Sequence, residues 1–413
     1  MQFHILSFEG PDGYARAGGI GSRISGLAQA LAAQGYDTHL WFIGDPALPG
    51  FEQHDRLRLH RWCQWLSKHH PGGVYDGEES KQADYASSLP PYLAVETLLP
   101  HLHSGGRAVV LAEEWHTVHA VLHLDWLLRQ AGKRHQVRIL WNANNVFGFE
   151  RIDWARLRQA ATITTVSRYM KHLMWPLGVD AVVIPNGLSA EAFLPPDRQA
   201  VAEVRRRLAN RTLIAKVARF DPDKRWLLAI DIVAELKRRG RNPLLIARGG
   251  MESHGREVFD AAATRGLKVR DVGADAPGAA GLVRALRTAN GEDVIHLQSA
   301  LDAEASRTLF RTVDAVLANS GREPFGLVGL EAMAAGGIAC TGCTGEDYAV
   351  AGRNALVMQT SDPREFVALL ETLRDDSVKE RALRRAARAT ARGYAWPEII
   401  ARNLLPRLEV SAR

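Results

Sequence analysis

Glu323 and Glu331 stand with seven residues between them in the stretch EPFGLVGLEAMAAGG, and the frame around them decides what two carboxylates can do there. Upstream, Ala315-Val316-Leu317-Ala318 is a short apolar run that predicts a buried parallel strand. Asn319 to Arg322 reads as a turn. Small and apolar residues at helical spacing (Leu327, Leu330, Ala334) then predict a helix, stopped by Gly336-Gly337. Strand, turn and helix together present backbone N–H groups and a positive dipole end to an anion. A carboxylate at such a helix start repels phosphate, and its natural ligand is a sugar hydroxyl. Surface glutamates are common and usually solvated; the Gly, Pro and small-residue setting separates this pair from that background.

Arg219 and Lys224 form a second group. They are five apart, across the turn between an expected strand, Leu213 to Ala218, and an amphipathic helix, Trp226 to Arg239. A bidentate guanidinium and a point ammonium so placed can converge on one diphosphate. Alone they would read as two surface cations; sharing a half of the chain with Glu323 and Glu331 reverses that. Arg248-Gly249-Gly250, after Leu244 to Ala247, repeats the sequence of strand then glycine turn. In the first half, the strand Phe3 to Phe8 runs into a glycine-rich loop, Gly10 to Gly21. A helix carrying Ile24, Leu27, Ala28 and Leu31 follows, then a strand from Thr38 to Ile43. This is a βαβ opening whose spacing does not match G-x-G-x-x-G, so a classical dinucleotide site is disfavoured. Gly18-Gly19 lets the backbone approach a ligand closely. His116 follows the strand AVVLA, Ala108 to Ala112, in Glu113-Glu114-Trp115-His116; a lone loop histidine is more often a surface residue.

These residues need two scaffolds, and 413 residues suffice for two domains with separate cores. Composition is that of a soluble globular chain, 46% hydrophobic and 24% charged. No apolar run reaches membrane-span length and the parts of a signal peptide are missing at Met1, so a cytoplasmic location is expected. Three cysteines make no disulfide framework; Cys340 and Cys343 read as small residues closing a strand, with a metal or redox role as the lesser alternative. Net charge is +6, with arginine clusters at 205–207, 237–239 and 381–392. Such runs are mostly solvated helix faces, the alternatives being a phosphate-rich substrate or peripheral contact with an anionic membrane. No basic motif interleaved with aromatics points to nucleic acid. Gly50 to Pro100 reads as irregular and rich in aromatics, either a sugar-binding region or a partly buried subdomain.

Set in EPFGLVGLEAMAAG, the two glutamates resemble the nucleotide-sugar signature of the family-4 retaining glycosyltransferases. The resemblance covers nearly the whole chain and is most specific in its second half. It implies an α/β GT-B fold: two doubly wound Rossmann-like domains facing across a cleft, with a C-terminal helix crossing back to the first. The corresponding segments are 1–188 for the acceptor, 189–390 for the nucleotide-diphosphate sugar, and 391–413 for the returning helix, with Pro195-Pro196-Asp197 marking the boundary. It further implies that Glu331 binds the ribose hydroxyls and Glu323 the donor sugar, and that the amides from Phe325 through Gly326 and Leu327 to Val328 face the diphosphate. Arg219 and Lys224 resemble the family's diphosphate-binding pair, and Gly19 lies in the position of the glycine loop between donor and acceptor. Gly249 and Gly250 join the donor site. The departure is Asn144, which stands where many members carry a histidine near the donor sugar. Either His116 does that histidine's work, or the leaving phosphate accepts the proton and no histidine base is needed. No cofactor and no metal are expected, because Arg219 and Lys224 supply the charge. Two other functions fit the same fold: a nucleotide-sugar 2-epimerase, which needs acid–base carboxylates beside the sugar, and a non-catalytic sugar-nucleotide-binding homologue.

Overall fold

The computed structural model describes residues 1–273 and 276–409. It divides into two compact units: one built from Met1–Gly187 and the segment beginning at Trp396, the other from Leu188–Ala395. The expected 391–413 segment is thereby split at Trp396, and its residues 410–413 lie outside the described residues. The break falls at Gly187, ahead of Pro195-Pro196-Asp197. Asp197 is a helix cap, accepting from the amides of Gln199 at 2.8 Å and Ala200 at 3.0 Å to start Arg198–Arg207.

The first unit carries eight strands: β1 Gln2–Leu6, β2 Asp37–Ile43, β3 Phe51–His54, β4 Leu57–Trp62, β5 Ala108–Glu113, β6 Val137–Ala143, β7 Thr162–Thr165 and β8 Val182–Val183. Their order is β3-β4-β2-β1-β5-β6-β7-β8, parallel except for the β3–β4 hairpin at one edge. The central strands β1 and β5 are buried almost throughout, as continuous apolar runs in a sheet covered on both faces must be. Helix Gly19–Ala33 lays Ile24, Leu27, Ala28 and Leu31 on that core. Trp396 is also fully enclosed by this unit. A Cβ on Gly26 would lie 2.4 Å from its indole nitrogen and one on Gly187 2.4 Å from its ring, so both positions need glycine.

The region 50–100 is more regular than its sequence suggests. It holds the β3–β4 hairpin and a long helical run, Glu78–Tyr92 continuing through a π turn, Leu93–Leu98, into Leu99–His103. Pro90 and Pro91 lie inside the helix, and each proline removes an amide donor, which is why the sequence reads as broken there. Tyr85, Leu89, Leu93 and Leu98 supply the buried stripe that holds the helix together across the prolines.

The second unit carries β9 Thr212–Val217, β10 Pro243–Arg248, β11 Val269–Val272, β12 Val294–Leu297, β13 Ala315–Ala318, β14 Ala339–Thr341 and β15 Leu356–Val357. All pair in parallel, in the order β11-β12-β10-β9-β13-β14-β15. Leu188 and Ala395, the first and last residues of this unit, pair side by side, with the Leu188 amide donating to the Tyr394 carbonyl at 2.7 Å. Several members of its basic runs are engaged within it. Arg205 pairs with Asp314 at 2.8 Å, Lys237 with Asp293 at 2.8 Å, Arg238 and Arg239 with Glu235, and Arg384 with Glu380 at 2.8 Å. Among the described residues no helix is long and apolar enough to cross a membrane.

Candidate active site

In the second unit two strand–turn–helix corners meet. After β9 the chain turns through Arg219–Arg225. Asp221 accepts from the Asp223 amide at 2.8 Å, and Arg225 takes a left-handed conformation (φ 52°) before helix Trp226–Arg238 begins. After β13 comes the turn carrying Glu323, and Gly326 (φ 80°) leads into helix Leu327–Ala334. The amide of Gly321 on this second turn donates to the Asp223 carbonyl on the first at 2.7 Å. Lys224 Nζ then lies 2.6 Å from Glu323 Oε2, with both side chains mostly buried. Residues almost a hundred positions apart are thus held as one ion pair. Arg219 is exposed on the same turn as Lys224, and among the described residues its guanidinium has no hydrogen bond or ion pair.

Glu331 is half-buried on the helix, and among the described residues its carboxylate accepts no hydrogen bond. Burial alone pushes its pKa up to about 7. A desolvated carboxyl without a protein partner is suited to ligand hydroxyls. Phe325 is buried against Tyr348, whose hydroxyl donates to the Gly326 carbonyl, so the turn before the helix N-terminus is anchored from beneath. Leu327 and Val328 open the helix. Gly249 and Gly250 have packing reasons to be glycine: a Cβ would meet the Phe220 ring at 2.0 Å and the Glu252 carboxylate at 2.4 Å. Asp221-Pro222-Asp223 has a D-x-D spacing that the sequence reading passed over. Asp221 is committed to its turn, and among the described residues no group of three His, Cys, Asp or Glu side chains is placed to hold a metal ion. Cys340 is buried in β14 and Cys343 exposed beyond it.

The first unit gathers a different set. Glu113 lies at the end of β5, where Arg23 donates to it at 3.2 Å and Asn142 and Asn144 donate through their side-chain amides at 2.9 and 2.7 Å. Glu114 is fixed in a conformation almost restricted to glycine (φ 66°, ψ 167°) and accepts from the Asn144 backbone amide at 2.7 Å. Burial pushes its carboxyl up to about 8. Asn144 therefore donates to carboxylates through both its backbone and its side-chain amide, and its Oδ1 is buried without a partner among the described residues. His116 is not the surface residue that a loop histidine suggests: it is 5% exposed and stacked on Phe8, with ring centroids 4.4 Å apart, and against Trp115 at 4.1 Å. Its Nε2 is 2.6 Å from Glu78 Oε1 and its Nδ1 is closed off without a partner among the described residues. Desolvation lowers its pKa in spite of Glu78. Gly19 opens the first helix, and the loop before it is wrapped round Glu9, whose Oε2 accepts from the amides of Gly18 at 3.1 Å and Gly21 at 2.9 Å.

Family models match both halves of the chain. Residues 17–192 match the model of Glycosyltransferase Family 4, and residues 197–390 match that of Glycosyl transferases group 1. The chain belongs to the family-4 glycosyltransferases. Its two parallel-sheet units are those of the GT-B fold. Curated relatives of this glycosyltransferase include proteins named D-inositol 3-phosphate glycosyltransferase. That of Kineococcus radiotolerans is 24% identical, over 93% of this chain and 88% of the relative. That of Thermobispora bispora is 25% identical, over 97% and 92%. Among solved structures, a sucrose-phosphate synthase from Thermosynechococcus elongatus aligns with TM-score 0.68 at 18% identity, covering 99% of this chain and 98% of that one. HepE of Anabaena in complex with UDP-glucose aligns with TM-score 0.63 at 17% identity, covering 99% of both.

Several residues of the two candidate constellations are not singled out by the sequence. Arg23 had a usable signal: it shares the apolar stripe of its helix with Leu27 and Leu31, where an arginine must find a buried partner. Glu9 and Glu78 had none, since only the tertiary fold brings them beside Glu113 and Glu114, which the acidic segment before Trp115 had already marked. Lys216 is fully buried beneath the second site, donating to Asn319 Oδ1 at 2.9 Å, with burial lowering its pKa to about 7. An isolated lysine in a strand that reads apolar was its sign.

Proposed function

We propose that the enzyme transfers a hexose with retention of configuration from a nucleotide-diphosphate sugar to a hydroxyl acceptor, without a metal ion or other cofactor, in the cytoplasm. The observation that carries this reading is the Lys224–Glu323 pair, 2.6 Å across two strand–turn–helix corners. It holds a cation for the diphosphate and a carboxylate for the sugar in fixed relation. Arg219, unpaired among the described residues, and Lys224 take the charge that develops on the diphosphate as it leaves, and the amides from Phe325 to Val328 add the positive end of their helix. The free carboxyl of Glu331 receives the ribose hydroxyls. Gly249 and Gly250 bring backbone close to the donor.

On the acceptor side, the proton of the attacking hydroxyl passes to a phosphate oxygen of the leaving group. Asn144 is held by Glu113 and Glu114 to orient the donor sugar and carries no proton. His116, its Nε2 on Glu78, supports that wall and is not the base. A panel of nucleotide sugars, incubated with hydroxyl acceptors and chelator, tests the reading. The expected result is acceptor-dependent release of nucleoside diphosphate and a product whose anomeric configuration, by proton NMR, matches the donor's. Inverted product, or complete loss of activity in chelator, would refute it. Epimerised donor formed without any acceptor would favour the 2-epimerase.

A further inference from the structure

We propose that Glu9 sets the acceptor class: it fills the anion-binding turn of the glycine loop with a carboxylate of the chain's own, so that the enzyme selects an uncharged polyhydroxy acceptor over a phosphorylated one. The proposal rests on the assignment of the first unit to the acceptor.

A glycine-rich loop leading into a helix N-terminus normally offers its amides to a phosphate. Here those amides are already answered. Glu9 Oε2 accepts from Ala17 at 3.3 Å, Gly18 at 3.1 Å and Gly21 at 2.9 Å, while Oε1 accepts from the Tyr75 hydroxyl at 2.8 Å. Glu9 is 3% exposed, so the carboxylate is enclosed and does not swing out to solvent. Gly21 is shaped for it, since a Cβ there would lie 3.1 Å from Glu9 Oε2.

The surrounding charge points the same way. Glu9, Glu114 and Glu78 together act on Tyr75, and Glu113 and Glu9 on Glu114, so four carboxylates share this neighbourhood. Three of the nearby cations are committed elsewhere: Arg23 to Glu113, Lys81 to the Tyr14 hydroxyl and the Gly73 and Val74 carbonyls, Arg151 over the Trp115 ring. Arg16 is exposed, with one N–H on the Pro11 carbonyl at 3.0 Å. An acceptor phosphate brought to this loop must displace Glu9 or lie against it. Neutral hydroxyls can instead donate to the carboxylate edges, and Phe147, 71% exposed after β6 at the same end of the sheet, offers a face for a sugar ring.

Two measurements on the full chain test this. In an Arg219→Ala/Lys224→Ala background, which silences the second unit's cations, inorganic phosphate is titrated calorimetrically with and without Glu9→Ala. Removing the carboxylate is expected to tighten phosphate binding at least about tenfold, because three amides are freed. Equal binding with and without Glu9 overturns the proposal. If the alanine variant does not fold, Glu9→Gln, which removes the negative charge but keeps an acceptor oxygen for the loop, is titrated instead and is expected to tighten phosphate binding by about threefold, through loss of the repulsion alone. In the second measurement, myo-inositol and inositol 3-phosphate compete as acceptors. The wild-type enzyme is expected to prefer the unphosphorylated one by about tenfold or more in kcat/KM, and Glu9→Gln to narrow that ratio to about threefold. A wild-type preference for the phosphate sinks the proposal. If no acceptor supports turnover, the transferase reading is what fails, and the phosphate titration still decides the role of Glu9.

Discussion

The two units solve the same topological problem with opposite chemistry. In the second, the candidate site is assembled from two short turns, each between a parallel strand and the helix that follows it, and its charges are a guanidinium unpaired among the described residues, a lysine and two glutamates. In the first, the corresponding end of the sheet is lined by Glu9, Glu78, Glu113 and Glu114, drawn from separate segments and satisfied by amides, an arginine, a tyrosine and a histidine. A site for an anionic co-substrate can be built locally, because a helix start already supplies amides and a dipole and needs only a cation or two beside it. A site for hydroxyl groups has no such ready-made unit, and its polar groups must be gathered by the fold.

This contrast can be broken most directly at Lys224. Lys224→Ala is expected to remove about 2–4 kcal/mol of transition-state stabilisation, lowering turnover more than donor affinity. Equal losses in kcat and donor Kd would reduce the residue to a ground-state anchor. Next in size is Asn144→Ala, expected to slow transfer by about 10-fold or more at every pH alike, while Asn144→His keeps most activity, since a histidine donor still reaches the carboxylates. A new pH dependence appearing only in His116 variants would restore a histidine base. For His116→Ala the expected cost falls on stability, about 1–3 kcal/mol by thermal or denaturant unfolding, because Glu78 loses its partner and the Phe8 stack its neighbour. A 100-fold rate loss with unchanged stability would contradict the structural role.

A last test separates the units by acid titration. Burial holds His4 well below its usual pKa, His39 at about 4 and His60 at about 3. These rings stay neutral in the folded first unit, whereas the unfolded chain takes up their protons below about 6.5, so this stability is present above that pH and lost as pH falls toward 4 and 3. Glu331 and Glu346, both raised to about 7, have the opposite sign: the folded second unit keeps protons the unfolded chain gives up. Their contribution is full below about 4.5 and lost as pH rises through 7. Glu114 adds one such group to the first unit, against three histidines. Calorimetry from pH 7 to 4.5 should therefore show the first unit's transition falling relative to the second's. Parallel shifts would erase the distinction.

How far the sequence could be read follows the same division. The strand β13 falls on the predicted residues, and Arg219, Lys224 and Glu323 stand on the expected strand–turn–helix corners, whose meeting at the Lys224–Glu323 pair the spacing within each corner did not foretell. The helix Glu78–Tyr92 was hidden by Pro90 and Pro91, whose local veto is overridden by the buried stripe around them. His116 read as a surface residue because sequence cannot show that Phe8, more than a hundred positions away, covers its ring. Glu9 lay in plain view before the glycine loop, yet only three-dimensional distances tell that the loop closes on it.

The enclosure of Trp396 by Gly26 and Gly187 carries a consequence for how this chain is made. The ribosome delivers Gly187 long before Trp396, and about 200 residues, enough for the whole second unit, emerge in between. At roughly 5–20 residues per second that interval is about 10–40 s. Through it the nascent first unit waits with its indole pocket unfilled, while the second, continuous from Leu188 to Ala395 and closed at its own ends, can already be complete. The second unit can therefore mature before the first, whose core is completed only once the segment beginning at Trp396 has been made.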